Sequence, residues 1–254
     1  MEYDTHETLG IHASPTFTPL QNVMVRPYLA FLALALIACN NDGPATTTVT
    51  TNDTRTAPAP MDPWKERDQW QHPEGMIGMM GGDLRNRVVA DLFAEDGYFT
   101  FKLLDAGADV IAVVNEPDQA QRLEELKKAK GITDDRLRIR LVPVGDPGLM
   151  PEEADMALMV HRFTTIADKK SYFNLMRRGL RYPYLLFLLE WPVKGTDLGP
   201  PSAMRAAPEE IMETIGSLNY TDVSFNAATI PGQVIYVAHD PMDDMGSPEG
   251  TGLQ

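Results

Sequence analysis

Residues 89–101 read V-A-D-L-F-A-E-D-G-Y-F-T-F. An apolar run ends in Asp91, a short turn follows, and Gly97 leads into a second apolar run. A strand that passes to a helix through such a turn leaves free backbone N–H groups at the helix start. That is where α/β proteins cradle nucleotide-like ligands. The flanking sequence repeats the same alternation. Residues 88–92, 110–114, 157–160 and 184–189 are short, largely apolar runs that read as buried strands, and 137–142 reads as a further strand. Residues 97–106, 118–130, 168–180 and 209–218 carry apolar residues at helical spacing, and Gly131 sits at a C-cap position. A leading helix over 67–80 carries Trp70, Met76, Ile77, Met79 and Met80, with Pro73 and Gly75 placed to interrupt it. Residues 221–227 and 233–238 are two strands joined by a short loop containing Pro231 and Gly232. The expected fold is therefore α/β: a doubly wound, mostly parallel seven-stranded sheet with helices on both faces and a C-terminal antiparallel strand.

Several segments, in order, carry a family likeness. Residues 68–73 (D-Q-W-Q-H-P) contain a W-Q-x-P element ahead of the first strand. The loop V-V-A-D-L-F-A-E-D-G-Y-F-T, the second strand D-V-I-A-V-V-N-E-P and the loop G-D-P-G-L-M-P follow. Then come A-D-M-A-L-M-V-H-R-F, L-R-Y-P-Y-L-L-F-L-L-E and the closing L-N-Y-T-D-V and I-P-G-Q-V-I-Y-V-A. Together they resemble class I S-adenosylmethionine-dependent methyltransferases over nearly the whole domain. The closing strand pair separates that family from ordinary dinucleotide-binding folds.

The resemblance assigns places in a cofactor site and shows where this chain departs from it. The family's loop pattern is D-x-G-x-G-x-G. Asp91 stands at the acidic position, Phe93 and Glu95 replace the first two glycines, and Gly97 remains. The cofactor's aminoacyl end approaches this backbone closely, and glycine permits both the approach and a positive φ. Phe93 puts a ring where the approach occurs, and Glu95 puts a carboxylate near the ligand's carboxylate. Two such charges 4 Å apart interact by roughly 4 kcal/mol at an effective dielectric of 20, although Glu95 facing the positive sulfonium would reverse the sign. Val114 stands where the family's acidic residue takes the ribose hydroxyls, and valine accepts no hydrogen bond. Glu116, two residues on, is the nearest substitute. Asp146 in G-D-P stands where the family holds the adenine amine, and Asp91 could orient the loop or hold the aminoacyl amine. Strand-end capping and turn formation are the ordinary uses of such aspartates. Methyl transfer from a sulfonium needs mainly proximity and orientation. The histidines of relatives are absent at Thr164 and Thr165, so His161 is the remaining candidate base, with a strand-end histidine as the plainer reading. Tyr98 reads as pocket lining or core. Cofactor loss at several positions points to a non-catalytic binding or scaffolding module, the alternative being an active methyltransferase on a small molecule, with S-adenosylmethionine as cofactor only if the site works.

Other chemistries lack support. The five histidines show no metal spacing, and there is no G-x-S-x-G elbow or G-x-x-x-x-G-K phosphate loop. A net charge of −14 argues against nucleic acid and anionic membrane surfaces as general partners. A small-molecule ligand remains open.

The amino-terminal region predicts a location. Residues 29–38 form an apolar run of ten that ends at Cys39, the chain's one cysteine. Ten helical residues span about 15 Å, half a hydrocarbon core, which fits a signal-peptide core rather than a membrane span. L-I-A-C (residues 36–39) looks like a bacterial lipobox, which implies a lipid on Cys39 and a lipid-anchored protein of the cell envelope. Residues 1–23 carry acids and no Lys or Arg, whereas Met24 and Arg26 supply a positive leader. The expected organisation is a gene-model extension over 1–23, a signal peptide over 24–38, a Thr/Pro-rich tether over 39–60, the domain over 61–240 and an acidic tail over 241–254. Export also weighs against an active enzyme, since S-adenosylmethionine is a cytosolic metabolite.

Overall fold

The structure, a computed structural model, describes residues 64–241. Cys39, the signal peptide, the tether and the bulk of the acidic tail lie outside the described residues. The chain opens with α1 (Lys65–Gln71) and α2 (Pro73–Met79) and continues with β1 (Val88–Leu92), α3 (Tyr98–Asp105), β2 (Asp109–Val114), α4 (Pro117–Ala129) and β3 (Leu137–Leu141). Then come β4 (Ala154–Val160), α5 (Lys169–Gly179), β5 (Leu180–Glu190), α6 (Pro208–Gly216), β6 (Asp222–Asn226) and β7 (Val234–His239). The seven strands form one sheet in the order β3-β2-β1-β4-β5-β7-β6. The first five run parallel, and β7 lies antiparallel between β5 and β6. This is the fold class expected from the strand–helix alternation and the closing pair.

Alternation along the strands divides the core in two. Ala90, Leu92, Ile111, Val113, Ala157, Met159, Leu186 and Leu188 point to one face, where Tyr172, Phe173 and Met176 of α5 and Ile211 and Ile215 of α6 cover them. Val89, Val110, Ala112, Val114, Met156 and Leu158 point to the other, under Met76 of α2, Leu103 of α3 and Leu123 of α4. The period of two in each strand places every second residue on the same face. Burial of both faces is why the strands read as continuous apolar runs.

The interruption expected at Pro73 is present, whereas the start of β5 differs from the sequence expectation. The leading helix is two helices, broken at His72 in a left-handed conformation (φ 44°), and Pro73 starts the second. Proline suits that first position, where no intrahelical N–H is needed. β5 begins at Leu180 rather than at residue 184, because its register against β4 jumps between Ala154↔Leu180 and Met156↔Leu185. Pro183, which removes a ladder donor, falls in that irregularity.

The leading helix is fastened to α3. Tyr98 Oη donates to Asp68 Oδ1 at 2.7 Å, and Lys102 Nζ reaches Asp68 Oδ2 at 2.9 Å. Trp64 Nε1 donates to Asp96 at 3.0 Å, and Arg67 pairs with the same carboxylate at 3.2 Å. Asp96 also accepts from the Tyr98 N–H, so one side chain ties α1 to the start of α3.

Candidate functional site

The strand order reverses direction between β1 and β4, which makes the carboxyl ends of β1, β2 and β4 the natural crevice of the sheet. A cavity of about 250 Å³ lies there, lined by Phe93, Glu95, Asn115, Glu116, Gln119, Val144, Arg162 and Thr165.

The turn after β1 forms one wall. Phe93, Glu95 and Gly97 all have left-handed backbones, at φ 61°, 51° and 83°. These are the three positions the sequence pattern reserves for glycine, and only one of them is glycine. A Cβ on Gly97 would lie 2.5 Å from Leu123 Cδ2 and 2.9 Å from Phe101 Cε2, so glycine is required there for space as well as conformation. One bond to β2 and one within the turn hold it: Ala94 N–H donates to Val113 O and Gly97 N–H to Ala94 O, both at 2.8 Å. Phe93 and Glu95 therefore accept a conformation costing on the order of 1 kcal/mol each. Phe93 recovers part of this by stacking on Tyr172, ring centroids 5.9 Å apart. Glu95 forms an ion pair with Arg162 of the loop after β4, so the pair spans from one strand end to the next. Burial pulls the Arg162 pKa down, and the nearby Glu190 opposes this.

The β2 end forms the second wall. Val114 is fully buried in the core and offers the cavity no acceptor. Glu116 is the N-cap residue of α4, exposed, with its side chain on the cavity. Asn115 Nδ2 donates to Val142 O at 3.1 Å, and Gln119 Oε1 accepts from the Asn115 N–H at 3.3 Å.

Asp91 and Asp146 do not line this cavity. Asp91 is buried, accepts from Thr100 Oγ1 at 2.6 Å, and thereby joins β1 to α3. Burial raises its carboxyl pKa to about 7, against the opposing effect of the Thr100 hydrogen bond. Asp146 is exposed and accepts from the Gly148 N–H at 2.8 Å, closing its own turn. Tyr98 is core: it is buried and bonded to Asp68.

His161 belongs to a separate network behind the Arg162 wall. Gln233 Nε2 donates to Trp70 O at 2.8 Å, which fixes the amide so that its oxygen faces inward. That oxygen accepts from Gln71 Nε2 at 2.9 Å and meets His161 Nε2 at 2.9 Å. Since a carbonyl oxygen only accepts, His161 carries its proton on Nε2. Its ring stacks on Trp191 at 4.0 Å, and Trp191 stacks on Trp70 at 5.8 Å. Burial pushes the imidazole pKa down to about 3. A group that holds a proton so weakly is ill matched to general-base work at neutral pH. Glu190, at the end of β5, accepts from the Phe163 N–H at 2.9 Å, and burial raises its pKa to about 7.

The sequence did not single out Arg162, Thr165, Asn115 or Gln119 as cavity residues. Gln119 carried a faint signal, one turn after Glu116 on the same helix. Arg162 carried none, because its partner lies 67 positions earlier. Among the described residues, no group of three or more His, Cys, Asp or Glu is placed to hold a metal ion.

No protein-family model matches the chain, and no curated protein does. Solved structures do. A SAM-dependent methyltransferase from Aquifex aeolicus superimposes with a TM-score of 0.61 at 15% identity, covering 70% of this chain and 93% of that one. A putative type 11 methyltransferase from Sulfolobus solfataricus gives 0.52 at 17%, covering 70% and 97%. The [4+2]-cyclase SpnF gives 0.55 at 11%, covering 66% and 81%. A fold can carry more than one chemistry, and identities this low speak for architecture alone. The order of the seven strands, the antiparallel β7 and these neighbours together identify a class I methyltransferase-like α/β fold.

Proposed function

We propose that the chain is an exported, lipid-anchored protein of the bacterial cell envelope whose methyltransferase-like domain no longer takes S-adenosylmethionine and serves as a binding or scaffolding module. The observation that carries this reading is that side chains, Phe93 and Glu95, stand at two of the three left-handed turn positions the family reserves for glycine, with Glu95 facing Arg162. Phe93 adds a ring at the other such position, and Val114 gives no acceptor for ribose hydroxyls. A cavity of about 250 Å³ is also below the roughly 300–1,000 Å³ usual for small-molecule sites. Residues of this kind do not fit the cofactor, so no transfer step is assigned to them.

Calorimetric titration of the purified protein with S-adenosylmethionine and its demethylated product tests this reading. We expect no heat of binding up to millimolar ligand. Micromolar affinity for either would overturn it. A second reading, an active methyltransferase on a small molecule, draws on one observation. Glu116, with Asn115 and Gln119, puts polar groups on the cavity wall next to the fully buried Val114. The same titration decides between the two.

The location rests on residues 29–39, the apolar run ending in L-I-A-C. Cys39→Ser is expected to abolish incorporation of labelled fatty acid and to release the protein from membranes. Membrane retention without label would place the anchor elsewhere.

A further inference from the structure

A second cavity lies at the opposite edge of the sheet, beside the start of β5. Its volume is about 500 Å³, within the range of small-molecule sites and twice that of the carboxyl-edge cavity. Its walls come from three places. Leu149 belongs to the segment before β4, Leu175 to the outer side of α5, and Leu180 and Tyr184 to the irregular start of β5. Leu175 is 40% exposed and Leu149 and Tyr184 are half-buried, so the apolar lining is open to solvent, with Leu180 packed beneath it.

Two guanidinium groups from the last turn of α5 border this surface. Arg177 is engaged: it pairs with Asp240 at 2.6 Å and lies 4.1 Å over the Tyr184 ring. Arg178 is exposed, and no ion pair to it is formed among the described residues. Cations at a helix C-terminus are favoured by the helix dipole, which accounts for an arginine there but not for the apolar cavity next to it. Glu152 is the one acidic residue on the wall, and it too is exposed. Arg178, with no ion pair among the described residues and at the lip of an apolar cavity, matches a ligand with one anionic head and a hydrocarbon body.

We infer that this amino-edge cavity binds a monoanionic amphiphile, a medium-chain carboxylate whose head pairs with Arg178 and whose chain lies along Leu149, Leu175 and Tyr184. The site is independent of the carboxyl-edge cavity and of any cofactor.

Titration calorimetry on the full chain with octanoate, decanoate and decanol tests the inference. One saturable site is expected. Each methylene buried tightens binding roughly fourfold, so decanoate should exceed octanoate by more than tenfold. Arg178→Gln should weaken decanoate roughly tenfold while leaving decanol unchanged. Leu175→Asp should weaken both. Both side chains are solvent-exposed, and an unchanged thermal midpoint checks that each variant folds. Unsaturable binding, equal affinity for octanoate and decanoate, or no loss with Arg178→Gln would each overturn the inference. So would an equal loss with Arg162→Gln, which would move the ligand to the carboxyl edge.

Discussion

The β1 side and the β2 side of the carboxyl-edge cavity present opposite chemistry. After β1, three left-handed residues carry the chain round, and two of them project a ring and a carboxylate that find partners within the protein. After β2, the chain leaves the sheet in extended conformation at Glu116, which stays exposed on the cavity. The β1 side is occupied by the protein's own groups, while the β2 side remains polar and accessible. The difference separates two properties that a glycine motif normally joins. Backbone path in the turn is set by its surroundings, through Gly97 against Leu123 and the Ala94–Val113 hydrogen bond. Access to the turn is set by side chains, here Phe93 and Glu95.

The largest test of that separation is Gly97→Ala. The new Cβ meets Leu123 and Phe101 well inside contact distance at a positive φ, so the loss should be roughly 3 kcal/mol or more by urea denaturation. A loss under about 1 kcal/mol would mean that the path is not fixed at Gly97.

Asp91→Asn should have the next effect, visible as pH dependence. Burial raises the folded pKa of Asp91 to about 7, above its unfolded value. The native state then binds more protons than the unfolded state between about pH 4 and 7, and stability falls as pH rises through that window. Glu190, raised likewise to about 7, adds a slope of the same sign. Asp91→Asn should remove Asp91's share of that fall and leave the Glu190 part. An unchanged pH profile would show Asp91 to be ionised in the fold.

The smallest effect on stability, within about 1 kcal/mol, is expected for Phe93→Gly with Glu95→Gly. Relief of two left-handed side chains offsets the lost Tyr172 stacking and the lost ion pair. The same double variant should gain measurable affinity for the demethylated cofactor product, because the path for it is already present. A folded variant that stays inert would show that the β2 side, with Val114, is equally limiting.

How much of this was legible in sequence depends on the distance over which each feature is decided. Strands such as Val88–Leu92 and Asp109–Val114 are local apolar patterns, and their ends were readable to within a residue. So was the burial of Val114, the last residue of an apolar run. Asp146 carried two meanings, a ligand acceptor and a turn former, and its bond to the Gly148 N–H is the local one. The Glu95–Arg162 pair and the Gln71–Gln233–His161 network join residues far apart in the chain, and no periodicity announces a partner. The early start of β5 was hidden because Pro183 argues against a strand wherever a bulge is not foreseen.

Asp96 has a mechanical consequence. It holds Trp64 and Arg67 on one side and the Tyr98 N–H on the other, so it sits between the amino end of the domain and the turn after β1. A pull on the chain ahead of Trp64 is carried first by these few bonds and passes directly into residues 93–97. The amino end of the domain and the turn that walls its crevice are thus joined through one carboxylate.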